Sequence, residues 1–429
     1  MKKKQINIAI IGLGNIGSYL YKYLLQNKIQ LIKKTNVIPN IMFVSAKNFK
    51  KKRNIKIPKS KWLNNYMDAA TNKDVDIIVE LIGGSEGAAK KIVFAALKNK
   101  KHVVTANKAL ISKYGDELSK IAETNKVNLE FEAAVCGGLP IIRSIKEGLI
   151  ANTVHKIYGI FNGTSNYILS SMDKDKISFK NALINAQQKG YAESNPSSDI
   201  NGDDVSAKLK ILSSLSFNTY INNNIHVEGI NKIDQIDIHN ANQLGFKIKL
   251  LGIGEIKNNK IVQRVHPCFI KKSSYIASID GVLNAVIIEG KPVGQSVIQG
   301  EGAGAAPTTS ALISDISSIL RGNIKYPFSI SNKERKKIKF DSIVNQSFSY
   351  YVRLDVYDKH GVLSNITNVF AKNKVSIKRL IQNPLVSKQY SSIVLITHRT
   401  KDLNLNKVTK ILSNKKYLIK DPKLIRIEG

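Results

Sequence analysis

Hydrophobic residues in the first third of the chain come as short runs separated by segments of helical spacing. Ile6-Asn7-Ile8-Ala9-Ile10-Ile11 reads as a strand, and Tyr19, Leu20, Tyr23 and Leu24 then repeat on one helix face, predicting a helix over 18–26. Further apolar runs predict strands at 40–45, 75–81, 102–105 and 127–131, with helices fitting at 87–98 and 111–124. Strands alternating with helices imply a parallel, doubly wound sheet.

After Glu132 the alternation stops. Gly137-Gly138-Leu139-Pro140 breaks the pattern and opens a predicted helix to about residue 149. Residues 136–299 mix strands with polar helices, which suits an α+β domain whose sheet could form a dimer interface. Gly300-Glu301-Gly302-Ala303-Gly304 leads into a helix over 308–320, returning within 300–330 to the first domain, residues 1–135. A connector at 331–348, lysine-rich over 331–339, reads as solvated. From 349 to 429 the pattern is strand, helix, strand, strand, helix, short strand, the order of a small ferredoxin-like domain.

Composition narrows the class. The 429 residues are 43% hydrophobic and 23% charged, which excludes disorder. No apolar run approaches the roughly 18 residues that span a bilayer, and the basic start Met1-Lys2-Lys3-Lys4 leads into a glycine loop rather than a cleavage site. A cytoplasmic protein without a membrane partner is expected. Two cysteines, Cys136 and Cys268, fit neither a disulfide scaffold nor zinc spacing. The net charge of +34 admits nucleic-acid binding or merely a lysine-, asparagine- and isoleucine-rich codon bias. The lysines are spread along the chain without interleaved aromatics, so no nucleic-acid partner is expected.

Three segments carry chemistry. Gly12-Leu13-Gly14-Asn15-Ile16-Gly17 follows a strand and opens a helix, the setting in which this glycine spacing binds a dinucleotide. Gly12 permits the turn, Gly14 the approach of a pyrophosphate to amides at Asn15 and Ile16, and Gly17 close packing. At the end of the second strand no acid awaits a ribose 2′-hydroxyl. Lys47 and the run Lys50-Lys51-Lys52-Arg53 favour a 2′-phosphate instead, hence NADP, with NAD as the alternative. The third segment gathers Glu193, Asp199, Asp204 and Lys208 beside two glycine turns. Asp204 and Lys208 share one helix face, as either a surface ion pair or part of a site for an ammonium group and a proton donor.

Taken together, Asn162-Gly163-Thr164-Ser165-Asn166-Tyr167-Ile168-Leu169, the 190–208 cluster, Thr105-Ala106-Asn107-Lys108, Glu132 to Pro140 and Gly302 to Thr309 strongly resemble homoserine dehydrogenases, in that family's order over about 5–325. The resemblance implies reversible reduction of aspartate 4-semialdehyde to homoserine by a nicotinamide cofactor. It makes Lys208 the main proton donor and Lys108 its electrostatic partner, with these roles exchangeable. Glu193, Asp199 and Asp204 then orient the substrate, and Thr164, Gly302 and Lys108 lie against the cofactor. It also implies a sodium or potassium site at Glu132 and the carbonyls of Val135, Gly137 and Leu139, against which stands a purely geometric hinge. Asn195 departs from the aspartate usual before the proline.

Residues from Tyr351 to Val356, the turn Asp358-Lys359-His360-Gly361 and the helix through Ile366, Val369 and Phe370 resemble an ACT domain, with Gln382 closing the next strand. His360 replaces the usual proline. Amides at 358–363 could hold an amino-acid carboxylate between two such domains, implying inhibition by threonine; a purely oligomerising unit is the other reading. A homodimer or homotetramer is expected. No kinase-like segment precedes the glycine loop, so the single-function form is expected. An aspartate-semialdehyde dehydrogenase would need an activated cysteine, which neither cysteine's setting offers. The remaining rival is a dinucleotide- and amino-acid-binding sensor without catalysis.

Overall fold

In the computed structural model, which describes residues 3–387 and 390–428, the first apolar run forms β1 (Gln5–Ile11), with Ile8 to Ile11 buried. The chain continues through α1 (Asn15–Gln26), α2 (Lys28–Thr35), β2 (Ile38–Ser45), α3 (Asp68–Thr71), β3 (Ile77–Glu80), α4 (Ala88–Lys98), β4 (His102–Thr105), α5 (Lys108–Asn125) and β5 (Leu129–Glu130). All five strands are parallel, in the order β2-β1-β3-β4-β5. The order reverses between β1 and β3, and at such a point a ligand crevice opens beyond the carboxyl ends of the strands. α2 was not legible in the sequence because it buries only Leu31.

The chain leaves this sheet through Glu132 to Pro140. The helix expected from there to 149 is instead one α turn, α6 (Ile141–Arg143), followed by a π turn over Ser144–Gly148. Then come β6 (Thr153–Ile160), α7 (Gly163–Asp175), α8 (Phe179–Gln188), α9 (Ser197–Ile200), α10 (Asp203–Ser216), β7 (His226–Val227), α11 (Gln235–Gln243), β8 (Phe246–Lys257), β9 (Lys260–Lys271), β10 (Leu283–Lys291), β11 (Gly294–Glu301) and α12 (Ala305–Leu320). Gly300 and Glu301 thus still belong to a strand, paired with Asn284 and Leu283. α12 returns to the parallel sheet: Ala311, Leu312, Ile316 and Ile319 share one core with Ile8, Ile10 and Val79.

The last part holds β12 (Lys339–Phe340), β13 (Ser347–Tyr357), α13 (Val362–Lys372), β14 (Ile377–Ser387), β15 (Tyr390–Thr397), β16 (Thr400–Lys401), α14 (Asp402–Ser413) and β17 (Lys423–Glu428). The order β17-β13-β15-β14 is that of a ferredoxin-like sheet. Gln382 lies inside β14 rather than at its end. β17 pairs in parallel with β9, so this sheet continues the central one, β11-β10-β6-β8-β9, without a break. The seam carries buried charges: Arg264 lies 2.8 Å from Glu428 and 2.5 Å from Glu255.

The connector read as solvated is anchored. Asn332 and Arg335 are buried, Thr219 bridges to Lys336, and Lys339-Phe340 pairs with Lys260-Ile261. A run of lysines suggested a solvated linker, but the two residues that decide its course, Asn332 and Arg335, point inward.

Candidate active site

Each glycine of the loop after β1 has its own physical reason. Gly12 has φ +109°, and a Cβ there would stand 2.5 Å from the Leu81 carbonyl oxygen. A Cβ at Gly17 would overlap the Gly12 carbonyl, whereas at Gly14 it would meet nothing within 4 Å. Gly14 therefore leaves open space where the backbone can approach a ligand, at the start of α1 with Asn15 and Ile16. A cavity of about 390 Å³ adjoins it, lined by Gly14, Asn15 and four cations, Lys22, Lys51, Lys52 and Arg53. Arg53 Nε donates to the Leu13 carbonyl at 2.9 Å, and its guanidinium lies over the Trp62 ring, 5.5 Å from the centroid. Lys47 is exposed on the same loop. Lys22 was missed because, on its own helix, it reads as one solvated lysine among many.

Across the crevice Lys108 is placed by its neighbours. Glu80, fully buried at the end of β3, accepts from the amides of Ile82 and Gly83 and from the Thr105 hydroxyl at 2.6 Å. Thr105 Oγ1 in turn accepts the Asn107 amide, and Asn107 caps α5 through the Leu110 amide while donating to the Gly84 carbonyl. Lys108 is the first residue of that helix. Glu80 had no sequence signal beyond a carboxylate ending an apolar run.

Opposite, Asn162 caps α7 through the Ser165 amide. Its Nδ2 donates to Asp199 Oδ1 at 2.7 Å and to Asp204 Oδ2 at 2.9 Å. Lys108 Nζ lies 2.9 Å from Asp204 Oδ1, and Lys208 Nζ lies 2.8 Å from Asp204 Oδ2. Lys208 Nζ also donates to the Phe161 carbonyl at 2.6 Å. Five polar side chains thus converge, of which Asn162 had been quoted only as part of a motif. Lys208 is buried, while the Lys108 side chain is 40% exposed.

Burial opposes ionisation of Asp204, but the ammonium groups of Lys208 and Lys108 outweigh it and hold this carboxyl well below the usual range. Burial likewise opposes charge on Lys208, but Asp204 outweighs it and raises the lysine's pKa. Asp199 is raised by its own burial, helped by the neighbouring charge of Asp204. The site therefore holds a firmly protonated lysine beside a firmly ionised aspartate.

Other expected residues fall differently. Glu193 is exposed and makes no ion pair among the described residues. Thr164 Oγ1 donates to the Tyr191 carbonyl at 2.6 Å. Gly302 packs against Asn284, whose amide a Cβ at that position would overlap. Glu132 is buried, its two oxygens accepting the amides of Ile142 at 2.8 Å and Arg143 at 2.7 Å. Desolvation pushes its carboxyl up to about 7. The Leu139 carbonyl accepts from the Ile141 amide, while no hydrogen bond reaches the carbonyls of Val135 or Gly137 among the described residues. The outgoing and returning chains touch here, the Gly138 amide donating to the Glu301 carbonyl at 3.1 Å. Among the described residues, no three or more His, Cys, Asp or Glu side chains group to hold a metal ion.

Residues 12–132 match the family model described as homoserine dehydrogenase, NAD binding domain, and residues 140–317 match that described as homoserine dehydrogenase. The chain belongs to the homoserine dehydrogenase family. Residues 350–415 match the ACT domain model. Similar proteins include the homoserine dehydrogenases of Neisseria gonorrhoeae, 37% identical over 99% of both chains, and Helicobacter pylori, 38% identical over 100% of both. The crystal structure of a homoserine dehydrogenase from Thiobacillus denitrificans superposes with a TM-score of 0.93 at 34% identity, covering 99% of each chain. In the family's terms Lys108 comes from the nucleotide-binding segment, and Asp204 and Lys208 from the other matched segment.

Proposed function

We propose that this chain reduces L-aspartate 4-semialdehyde reversibly to L-homoserine with NADPH. The observation that carries the reading is the convergence of Lys108 and Lys208 on the two oxygens of Asp204. A bound nicotinamide dinucleotide supplies the hydride. Of the three protons on Lys208 Nζ, two are engaged by Asp204 and the Phe161 carbonyl, leaving one for the substrate oxygen. As the carbonyl carbon gains the hydride, that ammonium stabilises the growing alkoxide and gives it a proton, while Lys108 adds a second positive charge. Asp199, joined to Asp204 through Asn162, faces the substrate's ammonium group, Glu193 helps to orient the substrate from the exposed rim, and Thr164 lies against the cofactor. A catalytically inactive sensor has no use for so complete an arrangement.

Lys22, Lys51, Lys52 and Arg53 support the preference for NADP, since they surround the cavity beside Gly14 and suit a 2′-phosphate. Glu132 supports a bound sodium or potassium ion, because burial outweighs its two amide donors and the nearby charges of Arg143 and Lys146 and holds its pKa near 7, and among the described residues no hydrogen bond occupies the carbonyls of Val135 and Gly137. The exposed turn at Asp358 to Gly361, before α13, supports an amino-acid effector, threonine first, held between two copies of the domain in a homodimer or homotetramer. No helix among the described residues is long and apolar enough to cross a membrane, which accords with a cytoplasmic enzyme.

The test is NADPH absorbance with purified protein and aspartate semialdehyde, in parallel with NADH, Lys208→Ala and a threonine titration. Turnover with NADPH that collapses in the variant supports the reading. No turnover with either dinucleotide overturns it.

A further inference from the structure

Arg335 lies between the matched segments, on the connector leading to the ACT domain, and is 4% exposed. Its Nη2 donates to Ser214 Oγ at the end of α10 and to the Thr219 carbonyl beyond it, each at 2.7 Å. The same nitrogen lies 2.7 Å from Asp116 Oδ1 on α5. Nη1 donates to Asn332 Oδ1 at 3.1 Å, and the Asn332 amide group reaches Ser119 and Glu123, again on α5. The guanidinium lies over two rings, 4.7 Å from the Tyr220 centroid and 4.4 Å from that of Phe328. Gly115 makes room for this, since a Cβ there would stand 2.9 Å from the Phe328 ring.

The helices gripped here are those that carry the reactive groups. α5 and α10 pack side by side. At one end Lys108 meets Asp204. At about 1.5 Å per residue, Asp116 lies about 12 Å further along α5 and Ser214 about 15 Å further along α10. Both helices therefore run the same way from the site to Arg335, and the pair is tied twice. A planar guanidinium with donors in a fixed fork, packed on the Tyr220 and Phe328 rings, sets a separation that a flexible ammonium does not.

We propose that Arg335 is a positioning residue, which fixes the spacing of α5 and α10 and so the meeting of Lys108 with Asp204 and Lys208. The inference rests on the dehydrogenase reading and adds a residue outside the matched segments to it. It also makes the connector a mechanical link between the ACT domain and the site.

Arg335→Lys and the gentler Asp116→Asn test this, the second because it is isosteric and partly exposed, so the fold is retained. Both should lower kcat about 10- to 100-fold, the range expected when reacting groups shift by about 1 Å, with KM for NADPH within twofold. The double variant should be no slower than the slower single one. The acid limb of the kcat profile should move to higher pH, because Lys108 no longer helps to hold Asp204 ionised. Crystal structures of both variants should show the separation of Lys108 Nζ and Asp204 Oδ1 lengthened from 2.9 Å by about 1 Å. An unchanged separation overturns the proposal whatever the rates, and so does wild-type kcat in Asp116→Asn. Absence of turnover in the wild-type protein counts against the dehydrogenase reading instead, and the structures still decide the role of Arg335.

Discussion

Lys108 opens α5 and Asp204 lies in the first turn of α10, and their charged atoms meet at 2.9 Å across the gap between the parallel sheet and the layer that follows it. Asp204 is also what keeps Lys208 charged while buried, because it outweighs the desolvation of that ammonium. Asp204→Asn removes this compensation. The pKa of Lys208 then falls, and reduction, which needs the protonated lysine, fails earlier as pH rises. We expect kcat to drop on the order of 10²- to 10⁴-fold, the usual contribution of a positioned proton donor, with the alkaline limb at lower pH than in the wild-type protein. Profiles of kcat that differ only in height would contradict the assignment.

The glycine loop gives a sharper separation of fold from binding. Gly14→Ala introduces a Cβ into open space and should fold normally. It should nevertheless lose most of its dinucleotide affinity, because the added methyl occupies the room left for the pyrophosphate. Gly17→Ala forces a methyl onto the Gly12 carbonyl and should lower the melting temperature as well. Calorimetric NADPH binding beside thermal melts distinguishes the two; tight binding by Gly14→Ala would remove that residue from the cofactor site.

These residues were legible because their chemistry is local. Gly12, Gly14 and Gly17 act through their own backbone between a strand and a helix, and Asp204 with Lys208 through a single helical turn, so local spacing marked them, although for the aspartate and lysine it was the family resemblance that chose a site over a surface ion pair. Asn162, Glu80 and Arg335 act through partners distant in the chain, such as Asp199, Thr105 and Asp116, and no spacing records those meetings. Glu193, which the resemblance assigned to the substrate, has an exposed side chain. The joining of the ACT sheet to β9 was equally hidden, since a parallel pair between β9 and β17 leaves no turn between them to be read.

Glu132 predicts a link between pH and stability. Its carboxyl rises from 4.5 to about 7 on folding. The folded protein therefore binds more protons than the unfolded chain between those values, and stability falls as pH rises through that window, by about 3 kcal/mol in all. Above about pH 7 the carboxylate is buried and ionised, and a sodium or potassium ion should offset the loss. Either salt should raise the melting temperature at about pH 8 more than choline chloride does, and should not at about pH 5.5. Glu132→Gln should flatten both the pH dependence and the salt effect. An equal response to choline would argue for the glycine hinge alone.

One route from the ACT domain to the segment that carries Asp199 passes through Glu228. Arg426 on β17 lies 2.6 Å from Glu228, and 2.8 Å from Asp402 within its own domain. Burial opposes ionisation of Glu228, but His226 and Arg426 outweigh it and hold the carboxyl well below the usual range. The next residue, Gly229, is so close to α9 that a Cβ would overlap the Ile200 carbonyl, and the Ile230 amide donates to that carbonyl at 2.8 Å. Ile200 adjoins Asp199. On the proposed reading, an effector that shifted β17 would pull on the segment that carries Asp199. Glu228→Gln keeps the shape of the side chain and removes its charge. It should raise the threonine concentration for half-inhibition at least about fivefold, the lower end of usual coupling energies, with uninhibited kcat within about twofold. Inhibition curves that superpose on the wild-type curve would place the coupling elsewhere, in the β9–β17 seam or the Arg335 connector.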